Sequence, residues 1–244
     1  MFEVIKLKML ILGIDALDKG MVEKFKCKNL MQHNCGQTTI SEFSLPKTVV
    51  LWSSFLTGKN METEIKEDLW EFTLPKERTF FNFFKSFKAI DVPAFTMKQE
   101  EHALERKYLA GFFKNENTVD DFDEVVWRNH EKVKDELFST VESPKLDIVM
   151  AYFSLVDAVG HLSFGMEEKM KDVYCEVDNI AADVSKKCNC PILIVSDHGM
   201  QRIGSGRYGD HTMNGFWSSN KKLGLNLNMP KITDFYKIIS RFGG

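Results

Sequence analysis

A chain of 244 residues, 43% hydrophobic and 27% charged, has the composition of an ordinary soluble globular protein, with room for one large α/β domain or two small ones. Its net charge of −3 leaves no basic surface to hold nucleic acid in bulk. Five cysteines, an odd number with no CxxC pair, argue against a disulfide framework and for a reducing, cytoplasmic location.

The opening "MFEVIKLKMLILGIDALD" has a short apolar stretch, interrupted by Lys8 and Asp15 and without a small-residue cleavage site. It reads as a first buried strand over residues 6–15. No run approaches the roughly 18 apolar residues of a membrane span. In "LPKTVVLWSSFLTG", Thr48 precedes an apolar stretch that reads as a helix ending at Gly58, which predicts Thr48 as its N-cap. A helix N-terminus also offers backbone N–H groups to an anion. Residues 60–86 are charged and Phe-rich without periodicity, and irregular surface packing is preferred there over a lid. "FKAIDVPAF" (87–95) reads as a strand that Pro93 ends or confines to an edge.

A helix is expected over 123–141, with Val126, Val133, Leu137 and Val141 inward. The runs 146–157 and 191–197 resemble 6–15 in being nearly continuously apolar, as strands covered on both faces are. Between them Met170, Val173, Val177, Ile180 and Val184 recur at steps of three and four, a helix whose stripe is core. Strand, helix and strand make a βαβ unit with a right-handed crossover. Cys188-Asn189-Cys190, just before the third strand, reads as a turn with two thiols rather than a metal site. With no repeat, low-complexity tract or linker, the expectation is one domain over 1–244. Its fold class is α/β, a mostly parallel central sheet with helices on both faces.

Each apolar run closes on an aspartate: Asp15, Asp157 and Asp197. Ligands of open α/β sheets bind beyond the carboxyl ends of the strands, so these three are expected to converge. His161 follows Asp157 by four residues, on one helical turn or in a tight loop made by Gly160 and Gly165. His198 adjoins Asp197, and His211 follows in "YGDHTMNG". This set uses three of the chain's six histidines. Mixed carboxylate and imidazole sets are what zinc, manganese and iron accept, so two divalent metal ions are expected, zinc first. Thr48, beside such a centre, is the candidate nucleophile towards a phosphorus atom. Lys59, Asn214 and Trp52 are candidate substrate contacts; the competing readings are a solvated helix end for Lys59 and core for Trp52. His33, His102 and His130 stand among polar neighbours and are expected at the surface.

"ILGIDALD", "LPKTVVLWSSFLTG", "FSLVDAVGH", "IVSDHGM" and "GDHTMNGF" resemble, in order, the motifs of the alkaline phosphatase superfamily. The branch they look most like is the type I phosphodiesterases and nucleotide pyrophosphatases, in their compact prokaryotic form. "KITDFYKIISRFG" (231–243) is similar to the family's closing segment. The resemblance implies one metal held by Asp15, Thr48, Asp197 and His198, and another by Asp157, His161 and His211. It implies Thr48 as nucleophile, with a phosphothreonine intermediate that water then hydrolyses, and a small-molecule phosphate ester as substrate.

The chain departs from the pattern just after Thr48. Val50 stands where members commonly carry Pro, and Leu51 where nucleotide pyrophosphatases place a phosphate-binding Asn. The Pro and His-Gly usual after "TG" are replaced by "KNMETEI". These changes spare the metal set and bear on nucleotide specificity. The short chain implies reduced cap insertions. Phosphodiesterase or pyrophosphatase chemistry leads; phosphomonoesterase and phosphonate hydrolase are alternatives, and an inactive metal-binding protein is the alternative of another class. Sulfatase is disfavoured because that chemistry uses a modified Cys or Ser followed by Pro and Arg. Mutase is disfavoured by the threonine and the chain length.

Overall fold

The computed structural model describes residues 7–65, 69–142, 145–224 and 229–244. In chain order the elements begin with β1 (Met9–Ile14), α1 (Lys19–Lys24), β2 (Asn34–Gln37), α2 (Thr48–Thr57) and β3 (Phe87–Ile90). They continue with α3 (Gln99–Phe113), α4 (Val119–Val141), β4 (Ile148–Phe153), α5 (Leu155–Ser163) and α6 (Glu167–Lys187). β5 (Ile192–Val195), β6 (Gly199–Arg202), β7 (Gly209–Thr212), β8 (Phe216–Ser219) and α7 (Phe235–Ser240) complete the chain. The start of the first expected strand lies outside the described residues. Among the described residues no helix is long and apolar enough to cross a membrane.

Six strands form a sheet in the order β2-β8-β5-β1-β4-β3. β5, β1, β4 and β3 run parallel; β8 pairs antiparallel to β5, and β2 pairs antiparallel to β8 at that side of the sheet. β6 and β7 make a separate hairpin. The pleat explains the continuous apolar runs. Leu10, Leu12 and Ile14 of β1 pack with α4, α5 and α6 on one face. Met9 and Ile11 pack with α2 and α7 on the other. β4 and β5 alternate in the same way, so each central strand needs apolar residues on both sides. The α/β class, mostly parallel with helices on both faces, is as expected.

Register then brings the strand ends together. Ile14 pairs with Phe153 and Gly13 with Val195, so β1, β4 and β5 stop at about one level. Two expected boundaries shift. The run 146–157 leaves the sheet at Phe153, and Asp157 stands in the first turn of α5 rather than closing the strand. Two helices, α5 and α6, fill the link where one was expected. β3 is an edge strand that ends at Ile90, because Asp91 takes a left-handed φ of 57° two residues before Pro93.

The stretch 60–86 is irregular apart from single turns at Lys76–Arg78 and Phe80–Phe83; residues 66–68 lie outside the described set. It is not surface packing throughout, since Phe80, Phe81 and Phe84 are buried in the core over α2 and α7. Its phenylalanines follow no helical or strand period because they enter the core from turns. α4 buries Val126, Val133 and Leu137 behind a Thr118–Asp121 capping box, with Val141 half-buried at its end. α6 buries the expected stripe.

Candidate active site

α2 lies across β1 because Gly13 has no side chain: a Cβ there would stand 2.8 Å from Cη2 of Trp52. Trp52 is fully buried, edge-on to Tyr152 and Phe55, and is core rather than a substrate platform. The N-cap position of α2 belongs to Lys47, not Thr48. Thr48 is the first helical residue and its hydroxyl caps nothing. The helix ends at Gly58 in the left-handed conformation, which a residue without Cβ adopts readily. Lys59 follows at that far end, about 15 Å along the axis from Thr48, and does not line the cavity described below.

Asp15 directly follows β1, its N–H donating to the Phe153 carbonyl at 3.0 Å. Its Oδ2 accepts from the Tyr152 hydroxyl at 2.5 Å. The next residue, Ala16, turns the chain with φ 57°, strain of the kind that gathers at functional sites. Ser196, after β5, ties the two loops: its Oγ accepts from the Leu17 N–H and donates to the His198 carbonyl. Asp197 and His198 are fully buried beside Asp15.

The orientation of His198 is informative. Its Nδ1 faces the Gly199 carbonyl at 3.1 Å, which only a proton on Nδ1 can satisfy. The lone pair on Nε2 then faces Asp15 Oδ1 at 3.2 Å and Asp197 Oδ2 at 3.5 Å. Neither approach is a hydrogen bond. His198 Nε2, Asp15 Oδ1 and both Asp197 carboxylate oxygens are buried without a hydrogen-bond partner. Such a set is costly unless a cation lies among the atoms.

A second group abuts the first. Asp157 and His161 share one turn of α5, with His161 Nε2 3.4 Å from Asp157 Oδ2. The β6–β7 hairpin supplies His211, whose Nδ1 donates to the Pro46 carbonyl at 3.0 Å. Its Nε2 lies 3.0 Å from Asp157 Oδ1 and 3.2 Å from His161 Nε2. The rings of His198 and His211 stack 3.9 Å apart and join the two groups. Donor atoms of Asp15, Asp197 and His198 lie within 4.8 Å of one another, as do those of Asp157, His198 and His211. Asn214 lies beyond β7 and is not on the cavity wall.

The electrostatics follow from burial and crowding. Burial raises Asp197 well above the usual carboxylate range, and the negative charge of Asp15 adds to this. Burial opposes ionisation of Asp157, but the His161 and His211 imidazoles outweigh it and hold its pKa well below the usual value. The Asp157 charge raises His161. His211 reaches about 9 despite burial, through its bond to Asp157. Burial lowers His198. Tyr152 is pushed far up by burial and by Asp15, so it stays protonated and donates.

Asp15, Thr48, Asp157, His161 and His211 open onto one cavity of about 270 Å3, with Asp197 and His198 buried from it. Leu69, Trp70, Met97, Leu109 and Phe122 line its apolar side, and Lys47, His102, Glu105, Arg106, Tyr152 and Ser154 add further polar lining. His33 is exposed as expected, but His102 and His130 are buried. His102 lies between Asp91 Oδ2 at 2.9 Å and Glu105 Oε2 at 3.0 Å, and His130 donates to Glu176 at 3.1 Å. Exposed neighbours in sequence, Glu100 near His102 and Arg128, Glu131 and Lys132 around His130, hid the inward turn of the two histidines. Tyr152 and Arg106 went unremarked in the sequence. A tyrosine in the otherwise aliphatic run "DIVMAYF" is the signal that was available.

The sequence profile of the family described as "Type I phosphodiesterase / nucleotide pyrophosphatase" matches residues 73–221, more than half of the chain. The chain belongs to this family. The matched segment carries Asp157, His161, Asp197, His198 and His211, while Asp15 and Thr48 precede it. A search of curated protein sequences gave no match.

Solved structures share the family member's fold at low identity. A variant of alkaline phosphatase from the Antarctic bacterium TAB5, with Mg bound in its M3 site, superposes with a TM-score of 0.56. The match has 10% identity and covers 99% of either chain. The PsFucS1 sulfatase from Pseudoalteromonas sp. gives 0.55 at 14% identity, covering 98% of this chain and 68% of the sulfatase. Murine ectonucleotide pyrophosphatase / phosphodiesterase 5 gives 0.48 at 14% identity, covering 81% of this chain. The aligned part is 58% of that murine chain.

Proposed function

We propose that residues 1–244 act as one catalytic domain, a two-metal-dependent phosphoric ester hydrolase of the phosphodiesterase/nucleotide pyrophosphatase type with Thr48 as nucleophile. The observation that carries this reading is the buried donor set of Asp15, Asp197 and His198, unsatisfied within the protein, beside a cavity that Thr48 lines. Oxygen and imidazole donors in this mixture fit zinc, with manganese or iron as alternatives. Asp15, Thr48, Asp197 and His198 would hold one ion, and Asp157, His161 and His211 the other. Such a pair, when bound, acidifies a coordinated hydroxyl and offsets charge developing on the phosphoryl oxygens.

The chain's own groups do the rest. The Thr48 oxygen forms a bond to phosphorus as the ester's P–O bond breaks, and the alcohol leaves with a proton. Free N–H groups in the first turn of α2 face the non-bridging oxygens. Water then attacks the phosphothreonine, restoring the Thr48 hydroxyl and releasing the phosphate product. Tyr152 holds Asp15 by donating to one oxygen, leaving the other free to ligate. His198 and His211 have their tautomers set by backbone carbonyls, so that each offers Nε2 to the site. Leu51 is fully buried and cannot take the phosphate-contacting role of an asparagine.

The test is hydrolysis of bis-p-nitrophenyl phosphate with added zinc or manganese, by the native protein and by Thr48→Ala. The expected result is turnover lost by at least about 1000-fold in the variant, in keeping with removal of a nucleophile, with metal content by elemental analysis nearly unchanged. Substantial residual turnover would remove Thr48 as nucleophile. Two bound metals with no hydrolysis of any mono- or diester would favour a binding role instead.

A further inference from the structure

Lys47 and Arg106 are two basic side chains on the cavity wall that the chemistry above leaves unassigned. Arg106 is the more constrained of the two. It stands on α3 one helical turn after His102, with its guanidinium 4.3 Å from the centre of the Trp70 ring. Its Nη1 is buried and has no hydrogen-bond partner. Among the described residues the acid whose charge acts on it, Glu105, is already engaged, Oε2 with His102 and Oε1 with the Asn129 amide. Burial lowers the pKa of Arg106, opposed by the Glu105 charge alone. A guanidinium presents five donors in a planar fork that matches a carboxylate or phosphate, and a buried donor left unmade is costly.

Arg106 is set apart from the Asp15, Asp157 and Asp197 carboxylates, since among the described acids Glu105 alone acts on its charge. Among the described residues neither it nor Trp70 makes an ion pair or hydrogen bond with the carboxylate–imidazole cluster or with Thr48, whereas Lys47 immediately precedes Thr48. The Trp70 face over which Arg106 lies is closed to a nucleobase by the guanidinium itself. Around this point the wall is apolar, with Leu69, Leu109 and Phe122, which strengthens a charge-assisted hydrogen bond made there.

We propose that Arg106 is a specificity-determining residue that binds a second anionic group, carboxylate or phosphate, carried by the ester away from its reacting phosphorus. The preferred substrate is then a phosphoric ester with two separated anionic groups, rather than one recognised by a stacked base. This inference rests on the hydrolase reading above.

The test compares kcat/KM for p-nitrophenyl phenyl phosphate with its 4-carboxyphenyl and 4-phosphonophenyl counterparts, in the zinc- or manganese-loaded protein. The native protein should prefer an anionic ester by about 10- to 100-fold, the range of a hydrogen bond to a charged group. In Arg106→Gln the ratio should collapse towards one, and Arg106→Lys, which keeps the charge without the fork, should fall between. A larger gain from the phosphono than from the carboxy ester supports a phosphate, and the reverse supports a carboxylate. A native protein without preference overturns the inference and leaves the hydrolase reading standing, whatever the variants do. Equal loss on all three esters in Arg106→Gln also overturns it, because the arginine would then serve the shared phosphoryl group. A native protein that hydrolyses none of the three overturns the hydrolase reading, and this inference with it.

Discussion

A histidine wedged between two carboxylates has its charge decided by them, and His102 is such a residue. Burial alone would lower its pKa, but the hydrogen bonds and charges of Asp91 and Glu105 raise it to about 10. Its value in the unfolded chain is near the ordinary 6.5. The folded state therefore binds the proton more tightly, and the stability this contributes is fully present below pH 6.5. It is lost as pH rises through about 10. The stability difference between the native protein and His102→Gln should accordingly shrink between pH 6.5 and 10, measured by urea unfolding at fixed metal concentration. A difference that stays level across that window would show that His102 is not held protonated. At this scale the ligand candidates were legible because an aspartate closing an apolar run has no packing reason to be there. His102 and Arg106 were not, since an isolated sequence does not disclose which face of a polar helix a cavity lies on.

α2 places Thr48 at the sheet's ligand-binding edge only if the helix can lie close over β1. Gly13 makes this approach possible, because any side chain there meets the six-membered ring of Trp52. That ring is pinned between Tyr152 and Phe55 in the buried core and has little room to yield. Gly13→Ala should cost about 1–3 kcal/mol, the usual penalty of overpacking a filled core, read as a lower urea midpoint. It should also reduce turnover, since the strain is relieved by moving the helix that carries Thr48. Unchanged stability would mean that Trp52 repacks freely and that Gly13 does not position the helix. The elements legible in the sequence were those with a long, single-purpose pattern: the three central strands, α4 and α6. The short strands β2 and β8, at one side of the sheet, and the β6–β7 hairpin were missed. Their few residues include serines, glycines and charges, and their pairing partners are distant in the chain. That hairpin nevertheless delivers His211, so its chemistry was readable where its structure was not.

Across the whole molecule, the site and the stability of the fold are linked through the same buried acids. Asp15, Asp157 and Asp197 come from three separate chain segments and meet at one edge of the sheet, where folding crowds like charges. Asp197 accepts no hydrogen bond at either oxygen, so its carboxylate is stabilising only when a cation neutralises it. A ligand binding only the folded state adds about 2.7 kcal/mol at a hundredfold excess over its Kd. For a chain of this size that corresponds to roughly 5–10 °C in Tm. On the proposed two-metal reading, a chelator should therefore lower the Tm of the native protein by about that amount. Asp197→Asn should respond in the opposite sense in each condition. With metal present it melts below the native protein, because a ligand is lost. With chelator it melts at or above the native protein, because the uncompensated buried acid has been removed. Differential scanning fluorimetry of the two proteins with and without chelator gives all four values. If Asp197→Asn is less stable by the same margin in both conditions, Asp197 serves the fold through packing alone, and the carboxylate is not held in place for a metal.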